Sequence, residues 1–134
     1  MPRARILLAD DHQEIRDMAM HLLEPEFEVV QAVEDGKAFL EAASRLNPDL
    51  CLLDISMPII DGIEATGQLK ETGSSAKVIM LTVHEDSDFV QAAFRAGASG
   101  YVIKSRMGKD LCEAVRSVLD GQTFGDHEHP FLRS

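Results

Sequence analysis

The sequence predicts an α/β fold of the doubly wound type, in which helices cover both faces of a five-stranded parallel sheet. Continuous apolar runs such as Leu50-Cys51-Leu52-Leu53 are typical of strands that are buried on both faces of such a sheet. Stretches with apolar residues at helical spacing lie between these runs. The connections are short, and a strict alternation of strand and helix implies right-handed crossovers.

The first half of the chain contains three predicted strands, at residues 6–9, 26–33 and 50–53. Two predicted helices separate them, with apolar residues at Ile15, Met18, Ala19, Leu22 and Leu23 and then at Phe39, Ala42, Ala43 and Leu46. Pro25 and the pair Asn47-Pro48 end these helices, because proline does not continue a helix.

The second half repeats the pattern, with predicted strands at residues 78–81 and 101–103. A helix from Gly62 to about Thr72 comes before the first of them, and Gly67 weakens it by about 1 kcal/mol relative to alanine. The last two helices have apolar residues at Phe89, Val90, Ala93 and Phe94 and at Leu111, Val115, Val118 and Leu119. Gly97 and Gly121 end these two helices, as glycine commonly does.

The composition fits one soluble domain. The chain has 134 residues, of which 45% are hydrophobic and 27% charged, so a packed core is expected. We assign residues 1–121 to this domain and residues 122–134 to a C-terminal tail or the start of a linker. The net charge of −10 would repel phosphate backbones, so we expect no direct nucleic-acid binding by this chain.

A cytoplasmic location is expected, with no membrane attachment. No apolar stretch approaches the roughly 20 residues that cross a bilayer, and the first residues do not form a signal peptide. Cys51 and Cys112 lie far apart in sequence and are interpreted as buried thiols, which fits a reducing compartment. Asp126-His127-Glu128-His129 is interpreted as disordered polar chain and not as a metal site.

Reactive side chains stand where the buried strands end. Asp10 and Asp11 follow the first strand, Asp54 the third, Thr82 the fourth and Lys104 the fifth. Because ligands of open parallel sheets bind outside the carboxyl ends of the strands, we expect these side chains to meet at one rim. Three convergent carboxylates repel one another unless a cation intervenes. Mg²⁺ is the natural cation, and the set fits magnesium-assisted phosphoryl transfer onto Asp54, with Lys104 contacting the phosphoryl group.

Most of these residues also have a simpler interpretation. Asp54 alone would most often be a turn residue, and Asp11 followed by Glu14 fits the helix N-cap of a capping box. A lone Lys104 would most often be a solvated surface charge, and Thr82 an ordinary β-branched strand residue. The joint placement at strand ends favours the chemical interpretation.

Several separated strings resemble the receiver domain of response regulators. They are Leu8-Ala9-Asp10-Asp11-His12, Leu53-Asp54-Ile55-Ser56-Met57-Pro58 with Asp61-Gly62, Leu81-Thr82, and Ala96-Gly97-Ala98-Ser99-Gly100-Tyr101 with Lys104. The resemblance runs from about Arg5 to about Gly121, and it is strongest to the branch usually fused to a LuxR-type helix-turn-helix. It implies a flavodoxin-like, CheY-like sheet with strand order 2-1-3-4-5.

The resemblance also implies roles for individual residues. Asp54 would be the phosphoacceptor, and the backbone carbonyl of Ser56 would complete the Mg²⁺ ligands. The Thr82 hydroxyl would bond a phosphoryl oxygen and draw its loop inward. Tyr101, otherwise a half-buried strand aromatic, would turn inward on phosphorylation and rearrange the surface of the fourth helix and fifth strand. Ser56 and His84 would modulate the hydrolysis of the acyl phosphate.

The function expected from the resemblance is a two-component signalling switch. It would take its phosphoryl group from a histidine kinase, catalyse part of that transfer itself, and control an output, which is expected to be transcription. A DNA-binding module needs several dozen further residues, so the chain is either a receiver cut from a longer regulator or a stand-alone receiver. A homodimer through the fourth-to-fifth-helix face or the first-to-fifth-helix face stays open.

Three alternative functions fit parts of the sequence less well. The first is a phosphorylation-independent interaction or dimerisation module, which the intact acidic set, Thr82 and Lys104 disfavour. The second is a flavodoxin-like cofactor binder, in which acids at Asp10-Asp11 would repel a cofactor phosphate. The third is a phosphohydrolase with an aspartate nucleophile, which would need an acid where Ser56 stands.

Overall fold

The structure is a computed structural model that describes residues 2–125 of the chain. Within this range, the strands are β1 (Arg5–Ala9), β2 (Glu28–Val33), β3 (Leu50–Leu53), β4 (Lys77–Thr82) and β5 (Gly100–Ile103). The helices are α1 (Gln13–Leu23), α2 (Gly36–Leu46), α3 (Gly62–Glu71), α4 (Ser87–Ala96) and α5 (Met107–Leu119), with a 3₁₀ turn at Lys104–Arg106 before α5. The predicted tail motif at residues 126–129 lies outside the described residues.

The sheet has the predicted topology. All neighbouring strands are parallel, and their order is β2-β1-β3-β4-β5. The predicted doubly wound, flavodoxin-like fold is therefore confirmed. This order places β1 and β3 side by side, with Leu7 opposite Cys51, so the residues that follow both strands emerge next to each other.

Two apolar layers sandwich the sheet. Along β1, Leu7 and Ala9 face the layer formed with α2, α3 and α4, whereas Ile6 and Leu8 face the layer formed with α1 and α5. This alternation follows from the two-residue period of a strand. Because both layers exclude water, the carboxyl ends of the strands are held in a rigid frame.

The second strand is shorter than predicted. It begins at Glu28 and not at residue 26, because Glu26 and Phe27 complete the turn after α1. Their amide N–H groups donate to the carbonyl of Leu23 at 3.0 and 2.8 Å. The residues after Pro25 are therefore bound to the preceding helix before the chain joins the sheet.

The two cysteines are free thiols, as predicted, but only Cys51 is fully buried. Burial in β3 raises the pKa of the Cys51 thiol to about 12. Cys112 on α5 is half-buried, and its thiol donates to the carbonyl of Leu22 at 3.2 Å. Among residues 2–125, no helix combines the length and apolar character needed to span a membrane.

The residues after α5 turn back onto the sheet. Gly121 adopts a φ of 90° and ends the helix, and its N–H donates to the Val118 carbonyl at 3.0 Å. Phe124 then forms a parallel bridge with Gly100 at the outer edge of β5. The domain boundary predicted at residue 121 stays a prediction. Beyond it, Gln122 is bonded to Ser117 of α5, and Phe124 to the edge of β5.

Two glycines of α3 are expected to respond oppositely to alanine substitution. A Cβ atom on Gly67 would meet nothing within 4 Å, so Gly67→Ala should raise the free energy of unfolding by about 0.5–1 kcal/mol. A Cβ atom on Gly62 would lie 2.1 Å from the Asp54 carbonyl oxygen, so Gly62→Ala should lower it by about 1–3 kcal/mol. Urea unfolding of both variants measures the difference, and equal effects would contradict this packing.

Candidate functional site

Four of the predicted residues stand at the carboxyl edge of the sheet. Asp10 directly follows β1, Asp54 follows β3, Thr82 is the last residue of β4, and Lys104 follows β5. Asp10 and Thr82 are fully buried, and Asp54 is 3% exposed. Polar groups placed this deep at strand ends need partners, because an unpaired buried charge is unfavourable.

Lys104 pairs with both buried carboxylates. Its Nζ atom lies 2.9 Å from Asp10 Oδ2 and 3.1 Å from Asp54 Oδ2, and its side chain is only 9% exposed. The ammonium reaches these groups across β4, which lies between β3 and β5. The interpretation of Lys104 as a solvated surface charge is therefore wrong. One positive charge balances only part of the negative charge at this edge.

The buried environment changes the acidity of this pair. Burial raises the pKa of the Asp54 carboxyl group, and the nearby Asp10 carboxylate adds to the rise, while Lys104 opposes it. For Lys104, burial alone would lower the pKa, but the hydrogen bonds and charges of Asp10 and Asp54 outweigh it, so the pKa is raised. Lys104 is therefore protonated at neutral pH.

Asp10 is held by the chain around it. Its Oδ1 atom accepts from the His12 amide N–H at 2.9 Å, and its backbone carbonyl accepts from the Arg16 guanidinium at 2.7 Å. Its Oδ2 atom is buried and contacts the Lys104 ammonium at 2.9 Å. A carboxylate oxygen carries more than one lone pair, so Oδ2 could also contact a metal ion.

The acidic residues fit a metal ion. Asp10, Asp11, His12 and Asp54 each offer one ligand atom, and these atoms all lie within 4.8 Å of one another. Mg²⁺ prefers oxygen ligands, so the three carboxylates suit it better than the imidazole of His12 does. His12 was not predicted as part of this cluster, although its position directly after two acids was visible in the sequence.

The simpler interpretation of Asp11 and Glu14 as a capping box is wrong. Helix α1 begins at Gln13 with His12 as its N-cap, and no side chain caps it. The Asp11 carboxylate instead lies 3.0 Å from the Nδ1 atom of His12. Because Asp11 precedes the N-cap and does not cap the helix, its exposed carboxylate faces the acidic cluster.

His84 joins several of the remaining predicted residues. Its Nε2 atom lies 2.9 Å from the Ser56 hydroxyl, and its ring stacks on Phe89 with the ring centres 4.1 Å apart. Its amide N–H donates to the Thr82 hydroxyl at 3.2 Å, and its carbonyl accepts from the Tyr101 hydroxyl at 2.8 Å. The sequence predicted roles for these residues singly, but it did not predict that His84 connects them.

Tyr101 is oriented inward in the structure. It is 1% exposed, so the interpretation as a half-buried strand residue is wrong. Burial raises the pKa of its hydroxyl, and the charges of Asp86 and Asp54 add to the rise. The hydroxyl therefore remains a hydrogen-bond donor toward the loop after β4.

The loop after Asp54 carries backbone strain. The Ser56 amide N–H donates to Asp54 Oδ1 at 3.3 Å, which ties the loop to the carboxylate. Ile59 has a φ of 74° and is 73% exposed, an uncommon combination for a β-branched residue. Strain of this kind costs about 1–3 kcal/mol and concentrates at functional sites. The role of the Ser56 carbonyl as a metal ligand stays a prediction.

Comparison with known families identifies the class of this protein. Residues 6–116 match the family described as the response regulator receiver domain, so the chain belongs to that family of two-component signalling proteins. It is 40% identical over 130 residues to the transcriptional regulatory protein DegU of Brevibacillus brevis, covering 96% of this chain but 54% of DegU. It is 37% identical to the chemotaxis protein CheY of Halobacterium salinarum, covering 86% of this chain and 96% of that protein.

Solved structures agree with this assignment. The receiver domain of the response regulator NarL from Mycobacterium tuberculosis superposes with a TM-score of 0.88 at 27% identity, covering 91% of this chain and all of that one. A LuxR-family response regulator from Aurantimonas superposes with a TM-score of 0.89 at 33% identity, covering 98% and 93% of the two chains. The predicted resemblance to the LuxR-linked branch is confirmed, and the chain spans about half the length of the DegU relative.

The raised pKa of Asp54 predicts that Asp54→Asn stabilises the fold at neutral pH. An acid whose pKa is raised on folding binds protons more tightly in the folded chain, so stability falls as the pH rises above the unfolded value of about 4. The amide removes this penalty at pH 7, and the gain should shrink as the pH approaches about 4. Urea unfolding at both pH values measures it.

The matched control is Asp17→Asn, which changes an exposed aspartate on α1. It should alter the free energy of unfolding little at either pH. An Asp54→Asn variant less stable than the wild type at pH 7 would show that the pairing with Lys104 outweighs the burial.

Proposed function

We propose that the chain is a phosphorylation-controlled switch that accepts a phosphoryl group on Asp54 from the phosphohistidine of a histidine kinase. The observation that carries this proposal is the contact of the buried Asp54 carboxylate with Lys104 beside Asp10. The Asp54 carboxylate is thus a potential nucleophile beside a fixed positive charge, and other possible cation ligands lie within 4.8 Å of it. Transfer of a phosphoryl group depends mainly on such alignment and charge stabilisation.

The transfer forms one bond and breaks another. A carboxylate oxygen of Asp54 attacks phosphorus while the phosphorus–nitrogen bond of the phosphohistidine breaks, and the electron pair of that bond stays on the imidazole nitrogen. Lys104, protonated at neutral pH, holds the oxygens of the moving group by charge and hydrogen bonds. The same arrangement supports the later loss of the phosphoryl group to water. The chain thus takes part in its own chemistry without being a conventional enzyme.

Asp10, Asp11, Asp54 and the backbone carbonyl of Ser56 are proposed to hold Mg²⁺. The spacing of the carboxylate oxygens supports this assignment. When bound, Mg²⁺ neutralises the carboxylates and offsets the negative charge of the phosphoryl oxygens.

The contacts of His84 support a switching role for the loop after β4. If the Thr82 hydroxyl turns toward a phosphoryl oxygen, it would pull on the His84 amide N–H, which donates a hydrogen bond to it. The His84 carbonyl would carry the change to Tyr101, and its ring would carry it to Phe89 on α4. The α4-β5-α5 surface would then rearrange for a partner. Ser56 and His84, which contact each other beside Asp54, are proposed to modulate hydrolysis by limiting the access of water.

The output is proposed to be transcription through a DNA-binding domain. DegU and the LiaR of Bacillus subtilis are transcriptional regulatory proteins, and the chain spans 54% and 57% of their lengths. A cytoplasmic location belongs to this proposal, because both cysteines are free thiols.

The alternative is a stand-alone receiver that acts through protein contacts, including a homodimer. The observation that favours it is the match to CheY, of which the chain covers 96%. A form that works without phosphorylation would retain its partner affinity in Asp54→Asn.

Acetyl phosphate with Mg²⁺ is expected to add one phosphoryl group to the wild-type chain. Intact mass spectrometry measures the gain, and Asp54→Asn should abolish it because the amide is no nucleophile. The matched control is Asp61→Asn, since Asp61 caps α3 and asparagine caps equally well. Transfer retained in Asp54→Asn would place the acceptor elsewhere. The modulating role of Ser56 is tested by comparing how fast the added phosphoryl group is lost from the wild type and from Ser56→Ala.

Mg²⁺ is expected to raise the melting temperature, and Asp11→Asn should weaken this response. Removing one carboxylate ligand should lower the Mg²⁺ affinity about tenfold, equivalent to about 1.4 kcal/mol of binding free energy. Asp11 is exposed, so the variant should fold normally. Thermal unfolding over a Mg²⁺ titration measures the shift, with Asp17→Asn as the charge-matched control. An unchanged response in Asp11→Asn would remove Asp11 from the metal site.

A further inference from the structure

Residues 122–125 lead from the end of α5 to the outer edge of β5, where Phe124 and Gly125 contact Tyr101, and we call them the β5 strap. The amide N–H of Tyr101 donates to the Phe124 carbonyl at 2.9 Å, and the amide N–H of Phe124 donates to the Ser99 carbonyl at 3.0 Å. The strap therefore uses backbone groups that an edge strand would otherwise expose. It lies against β5, the strand that carries Tyr101, one of the two predicted switch residues.

The strap fits tightly at Gly125. This residue has a φ of 84°, and a Cβ atom there would lie 2.3 Å from the Tyr101 carbonyl oxygen. Both the backbone conformation and the close approach therefore require glycine. Phe124 anchors the other side, because its ring packs on the apolar layer of α1 and α5.

Tyr101 is consequently held at three points. Its hydroxyl donates to the His84 carbonyl, its amide donates to Phe124, and its carbonyl abuts Gly125. The His84 amide in turn donates to the Thr82 hydroxyl. Hydrogen bonds and a packed side chain thus run without interruption from the end of β4 to the strap.

We propose that the β5 strap is part of the switch: it holds Tyr101 in its buried orientation and transmits a change at Thr82 to the polypeptide after Gly125. The inference rests on the proposed function, which supplies the change at Thr82. If phosphorylation favours the buried Tyr101, it tightens the strap. By reciprocity, a weakened strap lowers the affinity for a phosphoryl mimic. A strap that only covers the sheet edge would show neither effect.

The test compares Gly125→Ala with Gly73→Ala in the full chain. Gly73 is the matched control, because its φ of 83° nearly equals that of Gly125 but a Cβ atom there meets nothing within 4 Å. Beryllofluoride with Mg²⁺ serves as the phosphoryl mimic. Its binding is followed by the fluorescence of Tyr101, since the chain has one tyrosine and no tryptophan. Hydrogen exchange of peptides that contain Tyr101 and Phe124 reports on the strap.

The expected result has two parts. In the wild type and in Gly73→Ala, beryllofluoride should slow exchange at Tyr101 and Phe124 together. In Gly125→Ala, both amides should exchange faster, and the affinity for beryllofluoride should fall about fivefold, at the lower end of typical couplings between sites. If circular dichroism shows that Gly125→Ala is unfolded, Phe124→Ala replaces it with the same expectations.

The opposite results overturn the proposal. Exchange at Phe124 that does not respond to beryllofluoride, or an unchanged affinity in a folded Gly125→Ala, would leave the strap as an edge cover only. The mass gain with acetyl phosphate is measured on the same wild-type preparation. A gain without a strap response rejects the strap alone, whereas no gain rejects the proposed function and the strap with it.

Discussion

The contact of Lys104 with Asp10 and Asp54 is the interaction on which the site depends. Two carboxylates and an ammonium lie almost out of contact with water, and each would be unfavourable there without the others. Because Lys104 reaches across β4, the pairing also links the carboxyl end of β5 to those of β1 and β3. The pairing fixes the groups that the proposed phosphoryl transfer would use, and one positive charge leaves the edge with a net negative charge.

Most of the fold could be predicted because the buried strands are unbroken apolar runs. The start of β2 was mispredicted where that signal is weakest, since its residues are only half-buried and Glu26 and Phe27 bond to Leu23. The site could be predicted because parallel strands bring their carboxyl ends to one edge. The capping-box pattern of Asp11 and Glu14, which was the simpler alternative for Asp11, is not formed because α1 begins one residue later, with His12 as its N-cap.

The contacts that the sequence did not reveal involve residues of the loops that follow strands and helices. Ser56 and His84 meet, His84 stacks on Phe89, and Phe124 returns to β5, yet none of these pairs has a periodicity or spacing that marks it. Such contacts depend on where the frame places each loop. They are also the contacts through which a change at Asp54 would spread, so the sequence predicts the chemistry of the site better than its transmission.

Cys51 lies on β3, three residues before Asp54, and its thiol is fully buried. With a pKa of about 12, the sulfur stays protonated under physiological conditions and is a poor nucleophile. The thiol therefore would not compete with the Asp54 carboxylate for a phosphoryl group, and it would react slowly with peroxide. Oxidation of the thiol is therefore not expected at this position of β3.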